Sequence, residues 1–474
     1  MAALLLRAIA TAALIAPSLI TPALGAQPTR TPLPPIDREK GAIVVGVAEF
    51  ASVPDVGGQA PRMMLLVDEP GTRRLFVNDM RGPLFSVSYD GKRVVPYLDI
   101  NDSTWGVHVQ SQGRERGFQS FAFHPQFAQR GTPGYGKFYT YTDSRNNQAT
   151  PDFRPGGGNN THHTVLVEWT ARNPAAATYD GGNPREILRF EQPFANHNGG
   201  MIAFNPLARP GTPEFGLLYL GVADGGSGGD PLNLSQNLAN GFGKIFRVDP
   251  NGRNSANGKY GIPASNPFVG GSTPNVLPEI YAYGTRNPQR FGWDPANGNM
   301  YFADIGQNII EEVGLVTPGA NLGWNTWEGS FRYAGRTGVD TAGPRSDPKM
   351  IYPVVEYAHG DSLLQRQAAA TGVHVYRAGP IAGLRGKVLF ADFPSGEIFW
   401  FDADRLPKGG NADFHRVLLR SSGPPRTLLE LIREKNTAQA KPPAGRADLR
   451  FGAGSDGRVF LLNKADGTIR VLVP

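Results

Sequence analysis

The sequence predicts an all-β fold, a six-bladed β-propeller with long inter-strand loops. Three observations carry that expectation. Glycine and proline are abundant, 60 and 41 of 474 residues, which disfavours long helices and favours short strands joined by turns. One pattern recurs six times at spacings of 63 to 88 residues: a short β-type run, a polar turn often carrying Asp and Gly, then a second β-type run. Only residues 427–434 (TLLELIRE) place apolar side chains at helical spacing.

The six first runs are residues 75–79, 138–143, 218–224, 300–304, 388–392 and 459–462; their followers are 83–87, 165–169, 244–249, 312–316, 397–401 and 468–472. Each interval has room for four short strands and a long loop. Repeated four-stranded units without intervening helices are the signature of a propeller. Long loops on such a scaffold are natural walls for a site. The helical segment falls outside the pattern and is expected in an insertion on one face.

Residues 1–26 read as an export signal. Arg7 is the only charge, residues 8–20 are almost wholly apolar, and Ala23-Leu24-Gly25-Ala26 offers small residues for cleavage. Pro17 and Pro22 break the apolar run and argue against a transmembrane helix. Residues 27–42 form a Pro-rich flexible lead, and 43–474 the propeller. The mature chain is expected to be periplasmic or secreted, with no integral membrane segment. It has no cysteine, so disulfides and thiol catalysis are excluded and stability rests on burial and any bound metal. The net charge of +6 is dispersed. That fits solubility rather than nucleic-acid binding and leaves room for an anionic small molecule.

Two polar clusters stand just ahead of apolar β-type runs: Asn196-His197-Asn198-Gly199-Gly200 and Gly284-Thr285-Arg286-Asn287-Pro288-Gln289. His197 can exchange a proton near neutral pH, and Arg286 is a fixed cation able to stabilise a developing oxyanion. The glycines let the backbone approach a ligand closely. Alone, His197 fits either catalysis or a turn-stabilising hydrogen bond. His124, inside an aromatic segment, reads as structural. His162 and His163 are adjacent on a strand and point to opposite faces, which weakens a metal role. His359, beside Gly360-Asp361, is an unranked candidate. The run from Asp224 to Pro231 lacks the Lys-Ser/Thr ending and the following helix of a phosphate loop, so a tight turn capped by Asp side chains is favoured. Asp304-Ile305-Gly306-Gln307-Asn308 with Glu311-Glu312 offers the hard oxygen ligands that Ca²⁺ selects; taken alone it is equally an exposed acidic turn. No nucleophile elbow, zinc helix or dinucleotide fingerprint is present.

Several of these motifs, in order, resemble the glucose/sorbosone dehydrogenase family of soluble quinoprotein aldose dehydrogenases. They are Asn196 to Gly200, Asp224 to Pro231, Gly243-Lys244-Ile245-Phe246-Arg247-Val248-Asp249-Pro250, Arg286 to Gln289 and Gly319-Ala320-Asn321-Leu322-Gly323-Trp324. Arg116-Gly117 with Phe121-Ala122-Phe123-His124-Pro125-Gln126-Phe127 is similar to that family's first-blade motif, and the likeness runs from about Pro61 to the C-terminus. The resemblance implies a six-bladed propeller with pyrroloquinoline quinone lying flat over its channel and Ca²⁺ at the quinone edge. His197 falls on the general base, which takes the sugar's anomeric hydroxyl proton while hydride leaves for the quinone. Arg286 and Asn287 fall beside the quinone oxygen, and Glu115 on a cofactor-contacting position. Gly306 and Gln307 fall on the carbonyl ligands of the cofactor calcium, and Glu311 and Glu312 on an acidic pair of a neighbouring calcium site. The implied partners are a small sugar or aldehyde and a soluble electron acceptor. Gln307 stands where well-studied soluble glucose dehydrogenases have Pro. The segment 390–398 carries Pro394 and no Lys where those enzymes hold the cofactor's carboxylates, and the arginines nearest in sequence to their later pair are Arg416, Arg420 and Arg426. The family also includes hedgehog-interacting proteins, so a non-catalytic propeller binding a glycan or a protein is the rival reading. A metal-dependent hydrolase, acting on a lactone, is a third.

Overall fold

The computed structural model describes residues 32–336, 338–365 and 367–474; the expected export signal and the first residues of the lead lie outside these. Strands gather in fours. The first group is Met63–Asp68, Arg74–Asp79, Pro83–Ser88 and Val94–Asp99; the second is Phe118–Phe123, Lys137–Ser144, His162–Thr170 and Arg185–Gln192. The third is Ile202–Phe204, Leu218–Val222, Lys244–Val248 and Ile280–Tyr283; the fourth is Pro288–Trp293, Met300–Asp304, Ile310–Val316 and Val355–Ala358. The fifth is Ala370–Tyr376, Lys387–Asp392, Ile398–Asp402 and His415–Arg420. The sixth combines Arg450–Ala453, Val459–Leu462 and Thr468–Val473 with Ile43–Ser52 from the other end of the sequence. Within each group neighbours pair antiparallel, as at Leu218↔Val248 and Tyr301↔Leu315. Two short parallel pairings link groups: Ile43–Gly46 with Val417–Arg420, and Leu66–Val67 with Gly452–Ala453.

Many of these strands are buried on both faces. Phe118–Phe123 and Leu218–Val222 expose no residue, which is why they read as short continuous apolar runs rather than alternating ones. Each of the six main apolar clusters is shared by two successive groups. Tyr139, Leu166 and Leu188 of the second meet Leu218, Leu220 and Phe246 of the third. Tyr219, Ile245 and Tyr281 of the third meet Phe291, Met300 and Phe302 of the fourth. Val471 and Phe460 of the sixth meet Leu66 and Val77 of the first. Full burial of such side chains contributes about 1.5–3 kcal/mol each, so the energy lies in group-to-group faces rather than in one central core. The molecule is thus all-β and propeller-like.

The helix spans Leu428–Ala438, between the fifth and sixth groups, and extends four residues beyond the segment expected from the sequence. Thr427 caps it through Glu430, whose carboxylate returns to the Thr427 N–H. Leu428, Leu429, Leu431 and Ile432 pack on Leu389, Val459 and Leu461. A small hairpin, Trp327–Glu328, Phe331–Tyr333 and Val339–Asp340, is inserted in the fourth group. Within the stretch read as a flexible lead, Ile36 is buried and its N–H donates to Asp361 at 2.9 Å. No helix among the described residues is long and apolar enough to cross a membrane.

In an antiparallel group, the start of the first strand and the end of the second lie at the same edge. Glu115, His197, Arg286 and Arg446 precede first strands; Ile305 to Gln307, Phe393-Pro394 and Lys464 follow second strands. All of them line a single cavity.

Candidate functional site

The cavity measures about 340 Å³ and takes its lining from the leading loops and first strands of all six groups and from the turns after second strands. His197 sits at φ 55°, a left-handed conformation that costs a non-glycine residue about 1–2 kcal/mol. Its backbone N–H donates to Glu115 Oε2 at 2.7 Å, which holds the turn in place. Glu115 is anchored in turn by Gln119, whose amide donates to the Glu115 carbonyl and to Asp143. Gly199, at φ 79°, follows two residues on; a Cβ there would lie 2.7 Å from the Gly221 carbonyl. The glycine therefore lets the turn press against the neighbouring strand.

The imidazole is held at both nitrogens. Nδ1 lies 2.7 Å from Asp224 Oδ1, and Arg286 Nη2 lies 3.0 Å from Nε2. A guanidinium only donates, so Nε2 accepts and the proton of the neutral ring sits on Nδ1, facing the carboxylate. Asp224 is fully buried and also accepts from Trp324 Nε1 at 2.9 Å and Gly226 N–H at 2.9 Å. Burial pushes its carboxyl up, but His197, Arg286 and the Gly226 N–H outweigh that and hold it below the usual range. This arrangement fixes tautomer and orientation, with Nε2 accepting from Arg286 where both residues line the cavity.

Arg286 is equally constrained. Its Nη1 donates to the Ile305 carbonyl at 2.8 Å and its Nη2 to Gln307 Oε1 at 3.3 Å, and its guanidinium lies 5.7 Å from the Trp324 ring centre. The N–H groups of Arg286 and Asn287 donate to the two oxygens of Asp304 at 2.8 and 2.6 Å. Burial pushes the Asp304 carboxyl up to about 7 despite those bonds and the Arg286 charge. Asn287 reaches the cavity lining, and Gln289 bridges it to the Gly199 carbonyl.

Gly306 and Gln307 line the cavity. A Cβ on Gly306 would lie 1.6 Å from the Ile310 carbonyl oxygen, so only glycine fits. The turn is shaped by Glu328 of the inserted hairpin, whose Oε1 accepts the consecutive N–H groups of Gln307, Asn308, Ile309 and Ile310 at 2.9 to 3.1 Å. Glu311 and Glu312 diverge, as neighbours on a strand must. Glu311 is engaged by His359 Nδ1 at 2.7 Å and by the N–H groups of Gly306 and Ala370. Glu312 turns instead toward Asp304, Glu356 and Glu328, where burial and these like charges push it far up. His359 gains charge affinity from Glu311, which outweighs the opposing effect of burial. Among the described residues no three His, Asp or Glu side chains converge tightly enough to hold a metal ion.

The remaining candidates separate from the cavity. His124 packs edge-on to Phe204 and its Nδ1 accepts the Gln126 N–H, a structural role. His162 meets Asn198 at 2.7 Å while His163 faces Arg189, on opposite sides of the strand. Asp224 and Asp230 do cap their turn, through Gly226, Leu234 and Ser235. Sequence reasoning favoured this turn role for Asp224 and missed its bond to His197, 27 residues away. Arg416 pairs with Glu397 and Arg426 with Glu434, and neither lines the cavity. The cavity's cations are instead Arg114, Arg286, Arg446, Arg450 and Lys464, against one lining carboxylate, Glu115. No motif marks the last three. The one available signal was an arginine opening an otherwise apolar strand, Arg450–Ala453.

Residues 59–417 match the family described as Glucose / Sorbosone dehydrogenase. The chain is 30% identical over 370 residues to the HIPL1 protein of Arabidopsis thaliana, an alignment covering 71% of this chain and 51% of that protein, so it spans about half the relative's length. It is 26% identical over 226 residues to quinoprotein glucose dehydrogenase B of Acinetobacter calcoaceticus, covering 46% of this chain and 41% of that one. The PQQ-bound form of an aldose sugar dehydrogenase from Streptomyces coelicolor superimposes with a TM-score of 0.55 at 20% identity, covering 90% of this chain and 98% of the other. That likeness carries the fold.

Proposed function

The chain belongs to the glucose/sorbosone dehydrogenase family, and from that premise we propose that it is an exported quinoprotein that oxidises an aldose or related hydroxy/aldehyde compound. The observation that carries the reading is His197: a neutral imidazole at the cavity lining with its Nδ1–H on the buried Asp224. In the free protein Arg286 occupies the Nε2 lone pair. A substrate hydroxyl takes the same place and gives its proton to Nε2, and the Asp224 carboxylate stabilises the imidazolium that forms. Arg286 then faces the site where negative charge develops.

The residues present fit pyrroloquinoline quinone. An excess of cations lines a cavity with a single carboxylate, which suits an anionic cofactor, and Arg286 and Asn287 stand ready for its oxygen. When bound, that cofactor supplies the hydride acceptor. Gly306 and Gln307 are the proposed carbonyl ligands of the cofactor calcium, and Glu311 and Glu312 the proposed acidic pair of a neighbouring calcium site, where Glu311 is already engaged by His359. Six strand groups with a cluster between each successive pair support a six-bladed ring over residues 43–474.

The test is reconstitution. The full chain is mixed with pyrroloquinoline quinone and Ca²⁺ and supplied with a panel of aldoses and an artificial electron-acceptor dye. Dye reduction that depends on cofactor and sugar is expected. Cofactor binding without turnover on any member of the panel would move the protein to the binding-module reading.

A further inference from the structure

A second cavity, of about 300 Å³, lies between the third and fourth groups. Its lining includes Asn205 and Glu214 from the turn after the third group's first strand, Tyr219 at the start of the second strand, Arg247 near the end of the third and Tyr281 near the start of the fourth. Trp293 closes it from the end of the fourth group's first strand. In an antiparallel group these positions share the edge opposite the start of the first strand, so the cavity lies away from His197 and Arg286. Tyr219 meets Tyr281 and Trp293 edge-on, both at 5.1 Å between ring centres, and Trp293 is half-buried. Arg247 is buried, its guanidinium carbon 4.9 Å from the Tyr281 ring centre. Its Nε donates to Asn266 Oδ1 at 2.7 Å and its Nη2 to Ser265 Oγ at 2.9 Å. Those bonds lock the head and leave Nη1 unspent. Glu214 is half-buried in the same lining, yet among the described residues neither charge forms an ion pair, with the other or with a third group. Asn205 spends its Oδ1 on the Leu207 N–H at 2.9 Å and its Nδ2 on nothing among the described residues.

One cation and one carboxylate line this cavity, so it does not select an ion by net charge. What the lining lacks is partners: Arg247 Nη1 and Asn205 Nδ2 are donors without acceptors, and the Glu214 carboxylate is an acceptor without donors. A hydroxyl donates one hydrogen and accepts on two lone pairs, so neighbouring hydroxyls on one ring can join the arginine to the glutamate. Aromatic walls with a few placed polar groups suit a ligand that has an apolar face and a polar edge. We propose that this cavity binds a pyranose unit of a neutral glycan. The C–H face of the sugar lies against Trp293 and the tyrosine rings, and its hydroxyls bridge Arg247 and Glu214. The volume stands at the bottom of the usual range for small-ligand sites, about 300–1,000 Å³, so one sugar unit occupies it. No bond is made or broken there. The site needs neither cofactor nor His197, so it is independent of the quinoprotein reading; it gives the protein a hold on a glycan at one edge while the first cavity stays free.

The experiment is saturation-transfer NMR on the full chain, titrated with the methyl glycosides of glucose, galactose and mannose. These have no anomeric hydroxyl for His197 to deprotonate; methyl glucuronide serves as the anionic control. At least one neutral glycoside is expected to bind, with transfer strongest to the C–H protons of one ring face. Glu214→Ala is expected to weaken that binding roughly 10- to 100-fold, the range for hydrogen bonds to charged groups. Trp293→Leu should weaken it and erase the one-face pattern, and His197→Ala should change neither. Binding lost in His197→Ala but kept in the other two variants puts the sugar in the first cavity; it overturns this assignment and leaves the quinoprotein reading standing. A preference for the glucuronide makes Arg247 an anion site and overturns it too, as does failure of every neutral glycoside to bind the wild type. Should Trp293→Leu not fold, Glu214→Ala alone decides.

Discussion

The two walls of the cavity are built on opposite principles. On one, every charge is answered: His197 by Asp224 and Arg286, and Arg286 by the Ile305 carbonyl and Gln307. On the other, Arg450 and Lys464 share one acid that is already taken. A fully partnered wall is preorganised; its geometry is set before any ligand arrives, as chemistry at a defined atom requires. An unpartnered wall is completed by what it binds. Catalytic function and ligand retention are therefore expected to separate on substitution, the first failing on one side and the second on the other.

The sharpest break in that comparison is His197→Ala. Turnover in the dye assay should fall by about 10²–10⁴, the usual contribution of a positioned acid/base group, with cofactor affinity by calorimetry almost unchanged. A matching loss of affinity would erase the distinction between the walls. Arg286→Ala should cost roughly 2–4 kcal/mol of transition-state stabilisation, read as lower kcat/KM, and here cofactor retention should drop as well. Because the Arg286 side chain spans His197 and the Ile305–Gln307 turn, it is the one residue of the partnered wall expected to affect both readouts. Gly306→Ala probes the turn itself. A methyl 1.6 Å from the Ile310 carbonyl forces the backbone apart, and a loss of about 1–3 kcal/mol in denaturant unfolding is expected for such overpacking; unchanged stability would mean the turn is far softer than its packing implies.

The smallest effect comes from an unpartnered charge that faces no cavity. Glu69 is buried with both carboxylate oxygens unsatisfied, and burial raises it to about 7 against the lesser opposing pull of Arg74. The folded state holds this proton more tightly than the unfolded chain, whose carboxyl releases it near pH 4.3. Folding stability from this group therefore falls as pH rises from about 4 to 7 and stays low above that. Glu69→Gln should accordingly raise the melting temperature at pH 8 by on the order of 1–3 °C and change it little at pH 4.

The strand groups were legible because doubly buried strands leave continuous apolar runs closed by Asp/Gly turns, and the helix because its apolar residues fall at helical spacing; its Thr427–Glu430 cap emerged only in the structure. His197 and Arg286 were legible because each stands in a dense polar motif. Asp224 was half legible: its turn role is local, written in Gly225-Gly226, whereas its bond to His197 depends on two groups meeting. Arg446 and Lys464 were not legible, and Arg450 showed only as an arginine opening an otherwise apolar strand. Their neighbours in space, Phe393 and for Arg450 also Gln289, lie far away along the chain, and a lone basic residue looks the same whether it faces solvent or a cavity.

The strand Ile43–Ser52 has one further implication. It lies between Thr468–Val473, which it meets antiparallel, and His415–Arg420, which it meets in parallel. Withdrawing it would bare two unsatisfied edges at once, each offering a row of free N–H and C=O groups to another chain. For a protein with no cysteine to fasten its ends, this single inserted strand is then a guard against self-association. Damage confined to residues 43–52 should show itself first as sticky, oligomerising material, before any change at the distant cavity is felt.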